Sequence, residues 1–376
     1  MSRRAWIALP LVGLLALWLI VTLVGSSGRS APRPASPVAA PSPTVALAPP
    51  VTTSSAPAAP SVPAPAAEPA RTEVVSFDSR AMGGPRDYLV WLPPGYDSAV
   101  RRGRRFPVLY LLHGSPGNPQ DLLDTGGAGT TLQALIAAHR ARPTLLIIPD
   151  GRMGGDDRTD GEWADTRAGR FGSLLIDIVG DVDRRFATLA SRLDRGVAGY
   201  SEGGYGAVSL ALRRPDLFSV VESWSGYFTQ TPTGPFAGSS SAQLAASSPS
   251  AELAGLAGRL GGGPLSAWIY TGGADRGALD GETFAQNLAA AGAHVRAEVH
   301  TGDHNWPLWS AYMGDALLFA SDAFGHVTRP ASDLRLASPT QLAADRSRYL
   351  DYLQTKRVSY CAAHGRASRP YCANLG

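Results

Sequence analysis

A serine hydroxyl becomes a nucleophile only when a neighbouring base takes its proton and a third group holds that base in the right tautomer. The chain carries candidates for all three roles. Ser201 stands in Val197-Ala198-Gly199-Tyr200-Ser201-Glu202-Gly203-Gly204-Tyr205-Gly206-Ala207, where an apolar run after Arg195 breaks at Gly199 and a helical spacing of Ala207, Leu210 and Ala211 follows. Strand, sharp turn and helix in that order expose a serine on a strained elbow, and the glycines clear the place where strand and helix cross. Downstream, Asp275 follows the apolar run that ends at Tyr270, and His304 follows the run 295–299. The C-terminal ends of parallel strands are where functional groups collect. Asp280 and Glu282 remain open as alternative acids. An oxyanion would be held by the amide of Glu202, at the start of the helix, and by that of Ser115, in the Leu111-Leu112-His113-Gly114-Ser115-Pro116-Gly117 loop after an early strand. His113 reads as a brace for that loop, and Trp306 and Trp309 as packing beside the imidazole, roofing the pocket or simply filling the core. In a chain with 42 glycines, G-x-S-x-G alone is a weak signal. The flanking elements carry the weight.

Those elements can be read from apolar periodicity. Residues 73–77 and 88–92 are short β-rich runs, while 106–112 and 144–148 are continuously apolar, as strands covered on both faces are. Helical spacing follows over 132–139, over 174–186 and after Ser201; then come strands over 220–224, 267–270 and 295–299, with a helix over 282–291 between the last two. Strands alternating with helices predict an α/β fold, a mainly parallel sheet flanked by helices, over residues 72–328. The acidic, glycine-rich stretch 151–165 fails as a calcium loop because Arg158 stands where Asp or Asn is needed, and it reads as a solvated loop beside the pocket. Residues 229–263, rich in Ser, Ala and Gly, read as an insertion over the sheet edge, either a lid or a flexible, irregular excursion.

The ends of the chain predict its compartment. Arg3 and Arg4 precede an uncharged apolar run over 5–24, long enough to span a bilayer, with the positive residues favouring an N-terminus inside. Residues 1–28 are therefore expected to be a membrane anchor, with a cleaved signal peptide as the alternative, and the domain is expected outside the cytoplasm, on the membrane or secreted. Residues 29–71 are almost wholly Ala, Pro, Ser, Val and Thr, the composition of an extended tether. In the tail, 329–376, Ser338, Pro339 and Gln341 mark a helix start, and Leu342, Tyr349, Leu350 and Leu353 share a face that should dock on the domain. A net charge of +3 spread over 376 residues provides no nucleic-acid footprint, and two cysteines are too few for a thiolate metal site. Oligomeric state is not legible.

With these pieces assembled, the stretch from Tyr88 to Phe319 resembles the esterase D branch of the α/β-hydrolases, which includes the antigen 85 mycolyltransferases and S-formylglutathione hydrolases. The resemblance rests on Val90-Trp91-Leu92-Pro93-Pro94-Gly95-Tyr96, the Leu-His-Gly loop, residues 198–207 continuing through Leu210-Ala211-Leu212-Arg213-Arg214-Pro215-Asp216-Leu217-Phe218, and residues 302–309. It implies an α/β-hydrolase fold, Ser201 as nucleophile, His304 as base, oxyanion amides at Ser115 and Glu202, no cofactor or metal, and a small-molecule, lipid or glycolipid ester as substrate. Passage of the acyl group to a sugar or lipid hydroxyl is the alternative to hydrolysis, and a non-catalytic envelope-binding protein is a third reading. Glu202 departs from the branch, where an apolar residue usually follows the serine. In the mycolyltransferases the acid is a glutamate further into the next helix, which keeps Glu282 open here.

In an oxidising compartment Cys361 and Cys372 are expected to close a disulfide that staples the tail. Thiol titration of the denatured protein should find free sulfhydryls only after reduction; equal counts before and after would exclude the bond.

Overall fold

The computed structural model describes residues 68–154, 160–260, 263, 265–326 and 331–364. The apolar run 5–24, the linker and Cys372 lie outside the described residues, as do the side chains of Tyr349, Leu353 and Cys361. Among the described residues no helix is long and apolar enough to cross a membrane.

The strands are β1 (Arg71–Ser79), β2 (Gly84–Leu92), β3 (Val108–Leu112), β4 (Leu145–Pro149), β5 (Asp165–Thr166), β6 (Gly169–Arg170), β7 (Arg195–Tyr200), β8 (Val220–Trp224), β9 (Ser266–Gly272), β10 (His294–His300) and β11 (Asp333–Arg335). Nine of them form one sheet in the order β1-β2-β4-β3-β7-β8-β9-β10-β11, while β5 and β6 make a separate ribbon. β1, β2 and β4 pair antiparallel, and every pair from β4 to β11 is parallel. The helices are α1 (Tyr96–Arg101), α2 (Pro119–Asp124), α3 (Ala128–Ala137), α4 (Phe171–Arg185), α5 (Glu202–Arg213), α6 (Ser241–Ala246), α7 (Pro249–Glu252), α8 (Leu256–Arg259), α9 (Ala278–Ala290), α10 (Trp306–Ala311), α11 (Met313–Ala323) and α12 (Pro339–His364). The mainly parallel α/β sheet expected from the apolar runs is thus present, with strand and helix ends displaced by a few residues.

The core has two layers because successive strand residues face opposite sides. Val108, Tyr110, Leu112, Ile147, Val197 and Val221 face one side, against α4, α5 and α9. Leu109, Leu111, Leu146, Ala198, Trp224 and Trp268 face the other, against α2, α3, α10 and α11. Each large side chain so buried contributes about 1.5–3 kcal/mol, which makes the sheet centre the stiffest part of the molecule.

Two features of the sheet position everything that follows. Its order reverses between β3 and β7, so the loops leaving those strands diverge and open a crevice at their C-terminal ends. The neighbouring strand ends are also level: Tyr200 lies opposite Trp224, Trp224 opposite Tyr270, and Gly272 opposite His300. Residues just beyond β7, β8, β9 and β10 therefore meet on one edge.

Several elements were not read from sequence, among them α1, α2, α10 and α11. The three residues of β11 pair with β10 at the sheet edge and are all exposed, so no apolar run marks them. The β5–β6 ribbon has two residues per strand, too few for any period. Residues 241–259 fold into the short helices α6 to α8 rather than an irregular excursion. The tail helix starts as expected, Ser338 Oγ accepting from the Gln341 amide at 3.1 Å. Gln341, however, turns forward to Asp345 at 3.0 Å instead of back to the cap. Leu342 is half-buried over α9, whereas Leu350 is 54% exposed.

Where β7 meets α5, a Cβ added to Gly203 would come within 2.1 Å of the Leu112 carbonyl oxygen, a backbone atom that cannot swing aside. Gly203→Ala should cost about 3 kcal/mol through overpacking, seen in thermal denaturation as a Tm lower by roughly 6–12 °C. A Tm equal to wild type would refute the close packing.

Candidate functional site

Ser201 sits between the last residue of β7 and the first of α5 with φ 54° and ψ −120°, a left-handed conformation that costs a non-glycine residue of order 1 kcal/mol or more. It is retained because the surroundings over-determine it. The Ser201 amide donates to the Trp224 carbonyl at 2.8 Å, its carbonyl accepts from Gly204 and Tyr205 at 3.0 and 3.2 Å, and both ends are embedded in secondary structure. A Cβ on Gly199 would lie 2.4 Å from the Gly203 carbonyl carbon, so strand and helix can cross here only as glycines. The elbow inferred from the spacing is the elbow observed.

His304, in the loop after β10, reaches Ser201 Oγ through Nε2 at 2.8 Å and Asp275 Oδ2 through Nδ1 at 2.8 Å. The acid is 6% exposed and the imidazole 39%. Burial opposes ionisation of Asp275, but the hydrogen bond and charge of His304, with the Gly277 amide at 2.9 Å and a bond from Ser225, hold its carboxyl below the ordinary value. A charged acid on Nδ1 places the ring proton there and leaves Nε2 to accept from the Ser201 hydroxyl. The imidazole is supported edge-on by Trp309, ring centroids 5.2 Å apart, and Trp309 is itself anchored by Nε1 donating to Ser225 Oγ at 3.2 Å. Tyr200 packs between Trp306 and Trp309 with 4.6 Å centroid distances to each, so both tryptophans hold the wall behind the histidine.

The alternative acids point elsewhere. Glu282 accepts from the Ala337 amide, and Asp280 from the Phe228 amide at 3.3 Å; neither meets His304. Both belong to α9, which runs away from the sheet edge, whereas Asp275 lies in the turn before it.

Ser115 and Glu202 line the same cleft as Ser201, about 480 Å³ in volume. As first residue of α5, Glu202 has an amide among those a helix leaves without an internal partner, at the positive end of the helix dipole. Ser115 follows β3 on the other side of the crevice. His113 braces this loop: it is buried, Nε2 accepts from the Gly151 amide at 3.0 Å, and Nδ1 donates to the Gly114 carbonyl at 2.9 Å. Burial pushes its basicity down, so it serves as a neutral strut.

Stretch 151–165 is a correction. Its described part is not a solvated loop: Asp160 and Trp163 are buried, and Trp163 donates from Nε1 to the His113 carbonyl at 2.9 Å. Asp160 and Glu162 thereby enter the cleft beside Glu202. Tyr227 and Gln230, from the segment after β8, hold Glu162 Oε2 at 2.8 and 3.0 Å. No spacing rule marks these residues; the one available cue was a tryptophan among acids in a glycine-rich stretch. Glu202, only 4% exposed, is pushed well above the ordinary carboxyl range by burial, then by the nearby Asp160 and Glu162. Burial and its neighbours thus favour the uncharged form of Glu202, whereas the donors around Asp275 favour its charged form.

The model of the Esterase family matches residues 79–320, well over half of the chain. An endo-1,4-beta-xylanase/feruloyl esterase of Xylanibacter ruminicola is 34% identical over 154 residues, 40% of this chain and 21% of the relative. An esterase of Mycobacterium tuberculosis is 29% identical over 157 residues, 40% of this chain and 31% of the relative. The chain thus spans about a fifth to a third of the length of these curated relatives. Among solved structures, a ferulic acid esterase superposes with a TM-score of 0.60 at 20% identity, covering 68% of this chain and all (100%) of that one. An S-formylglutathione hydrolase of Staphylococcus aureus superposes with a TM-score of 0.57 at 18% identity, covering 67% and 99%. These superpositions establish the α/β-hydrolase fold.

A carboxyl whose folded value lies above its unfolded one favours the fold fully below the unfolded value and loses that contribution as pH rises. Glu202 should therefore weaken the fold progressively above its ordinary value of 4.5. Glu202→Gln, uncharged throughout, should gain stability relative to wild type on going from about pH 5 to about pH 8. Thermal denaturation at both values tests this, and a pH-independent difference would show that Glu202 is ionised in the fold.

Proposed function

Because this chain belongs to the Esterase family, we propose that it is a serine esterase in which Ser201 carries the acyl group. The observation that carries the reading is the continuous chain from Ser201 Oγ to His304 Nε2 and from His304 Nδ1 to Asp275, both links 2.8 Å. Ser201 Oγ attacks the ester carbonyl while His304 Nε2 accepts its proton, and Asp275 stabilises the imidazolium by its fixed charge. The carbonyl oxygen becomes an oxyanion that the amides of Glu202 and Ser115 receive. His304 returns the proton to the departing alcohol, and water enters by the same route in reverse to release the acid. The similarity to a feruloyl esterase supports trying feruloyl esters among the substrates. The apolar run 5–24 behind Arg3 and Arg4 supports an extracytoplasmic setting for the domain.

Full-length protein treated with a fluorophosphonate probe should be labelled, and Ser201→Ala should abolish the label. With a p-nitrophenyl ester, Asp275→Asn should lower kcat by about ten-thousandfold, as loss of the tautomer-holding acid does elsewhere, while Glu282→Gln should stay within about threefold of wild type. Labelling that persists without Ser201, or well-folded wild type that takes no label, would overturn the reading, the latter in favour of a binding protein.

A further inference from the structure

Three carboxyl side chains meet beside Ser201, and they come from two distant parts of the chain. The loop after β4 brings Asp160 and Glu162, and the first turn of α5 brings Glu202; all three line the cleft that contains Ser115 and Ser201. Among the described residues lining it there is no arginine or lysine. Arg152, near the loop's start, is turned onto Asp150 with bonds of 2.8 and 2.9 Å, and Arg167 donates to the Ala237 carbonyl outside the cleft. The protein's own donors satisfy part of the cluster: Tyr227 and Gln230 serve one oxygen of Glu162, and the Glu162 amide serves Asp160 Oδ1 at 3.1 Å. Glu202 Oε1 is the exception. It is buried and has no hydrogen-bond partner. A buried carboxyl oxygen left without a donor is unfavourable, so the acceptor character of this corner of the cleft is not offset by the protein's own donors.

On the reading of Ser201 as acyl carrier, we infer that Asp160 and Glu162, with the acceptor oxygen of Glu202 beside them, form a cation-accepting subsite, so that the preferred ester bears an ammonium-type group next to the scissile bond and anionic esters are turned away. The physical basis is discrimination by both signs at once. An ammonium meets several acceptors and, among the described residues, no competing cation, whereas a carboxylate must shed water against like charge in a cleft of lowered dielectric. Pairs of this kind, partly exposed to solvent, are worth up to about fivefold each in affinity, so two together approach about tenfold. The remaining lining, Met153, Tyr227 and Pro235, is apolar or aromatic and accommodates the methylene or methyl groups that surround a quaternary nitrogen.

The test uses the full-length protein and two isosteric series. In one, p-nitrophenyl esters carry the charge on the acyl part: 4-(trimethylammonio)butyrate, neutral 5,5-dimethylhexanoate and anionic glutarate. In the other, acetates carry it on the alcohol: choline, neutral 3,3-dimethylbutanol and an anionic 2-sulfoethyl alcohol. In at least one series kcat/KM should rise about tenfold from neutral to cationic and fall about tenfold from neutral to anionic, mainly through KM. In Glu162→Gln and Asp160→Asn the cation-to-anion ratio should shrink toward one. Wild type that turns over the neutral members of both series without regard to charge would overturn the subsite while leaving the esterase reading intact. So would a charge preference that survives in both variants. Wild type that hydrolyses no member and takes no fluorophosphonate would overturn both.

Discussion

The site depends on how closely two pieces of backbone approach. At the end of β7 the chain must turn into α5 while lying against the last carbonyls of β3, and there is no room for a side chain at Gly199 or Gly203. That crossing forces Ser201 into a left-handed conformation and aims its hydroxyl out of the sheet. It also lays the start of α5 beside the loop after β3, so that the amides of Glu202 and Ser115 border one crevice with Ser201. Hydroxyl, helix start and loop are therefore not three independently placed features. They are fixed together by one steric constraint within a two-sided core.

The second determinant is how the fold treats carboxyl groups taken out of water. Asp275 and Glu202 are both nearly buried and lie on the same edge of the sheet, yet their surroundings push their carboxyls in opposite directions. Asp275 meets donors: an imidazole, a backbone amide and a hydroxyl, which together outweigh desolvation. Glu202 meets two other carboxyls and an oxygen without a donor, and desolvation prevails. Environments that push like groups apart are how one site favours a charged partner for a histidine and an uncharged acid next to the serine in the chain. The aromatic wall of Tyr200, Trp306 and Trp309 serves the first of these by keeping the imidazole in line with Asp275.

Much of this was legible in the chain as written, for local reasons. A buried strand is a run of apolar residues, a cap is a short polar residue before a helix, and an elbow is a serine between glycines with a strand before and a helix after. Level ends of β7, β8, β9 and β10 follow once the strands are placed, and with them the neighbourhood of Ser201, Asp275 and His304. The choice of Asp275 over Glu282 was not local. It turned on which way α9 leaves the sheet, and only packing sets that direction; Glu282, buried like Asp275, serves the Ala337 amide instead.

What the sequence determined by itself was the α/β alternation, the elbow and the order of serine, acid and histidine, because each is written in residues adjacent along the chain. The tertiary structure alone decided that Asp160 and Glu162 fold back under Trp163 to stand beside Glu202, about 40 residues downstream. No period or spacing records that encounter. It arises because Trp163 finds its partner in the His113 carbonyl and its space over Gly206, and in burying that ring the chain carries its neighbouring acids into the cleft.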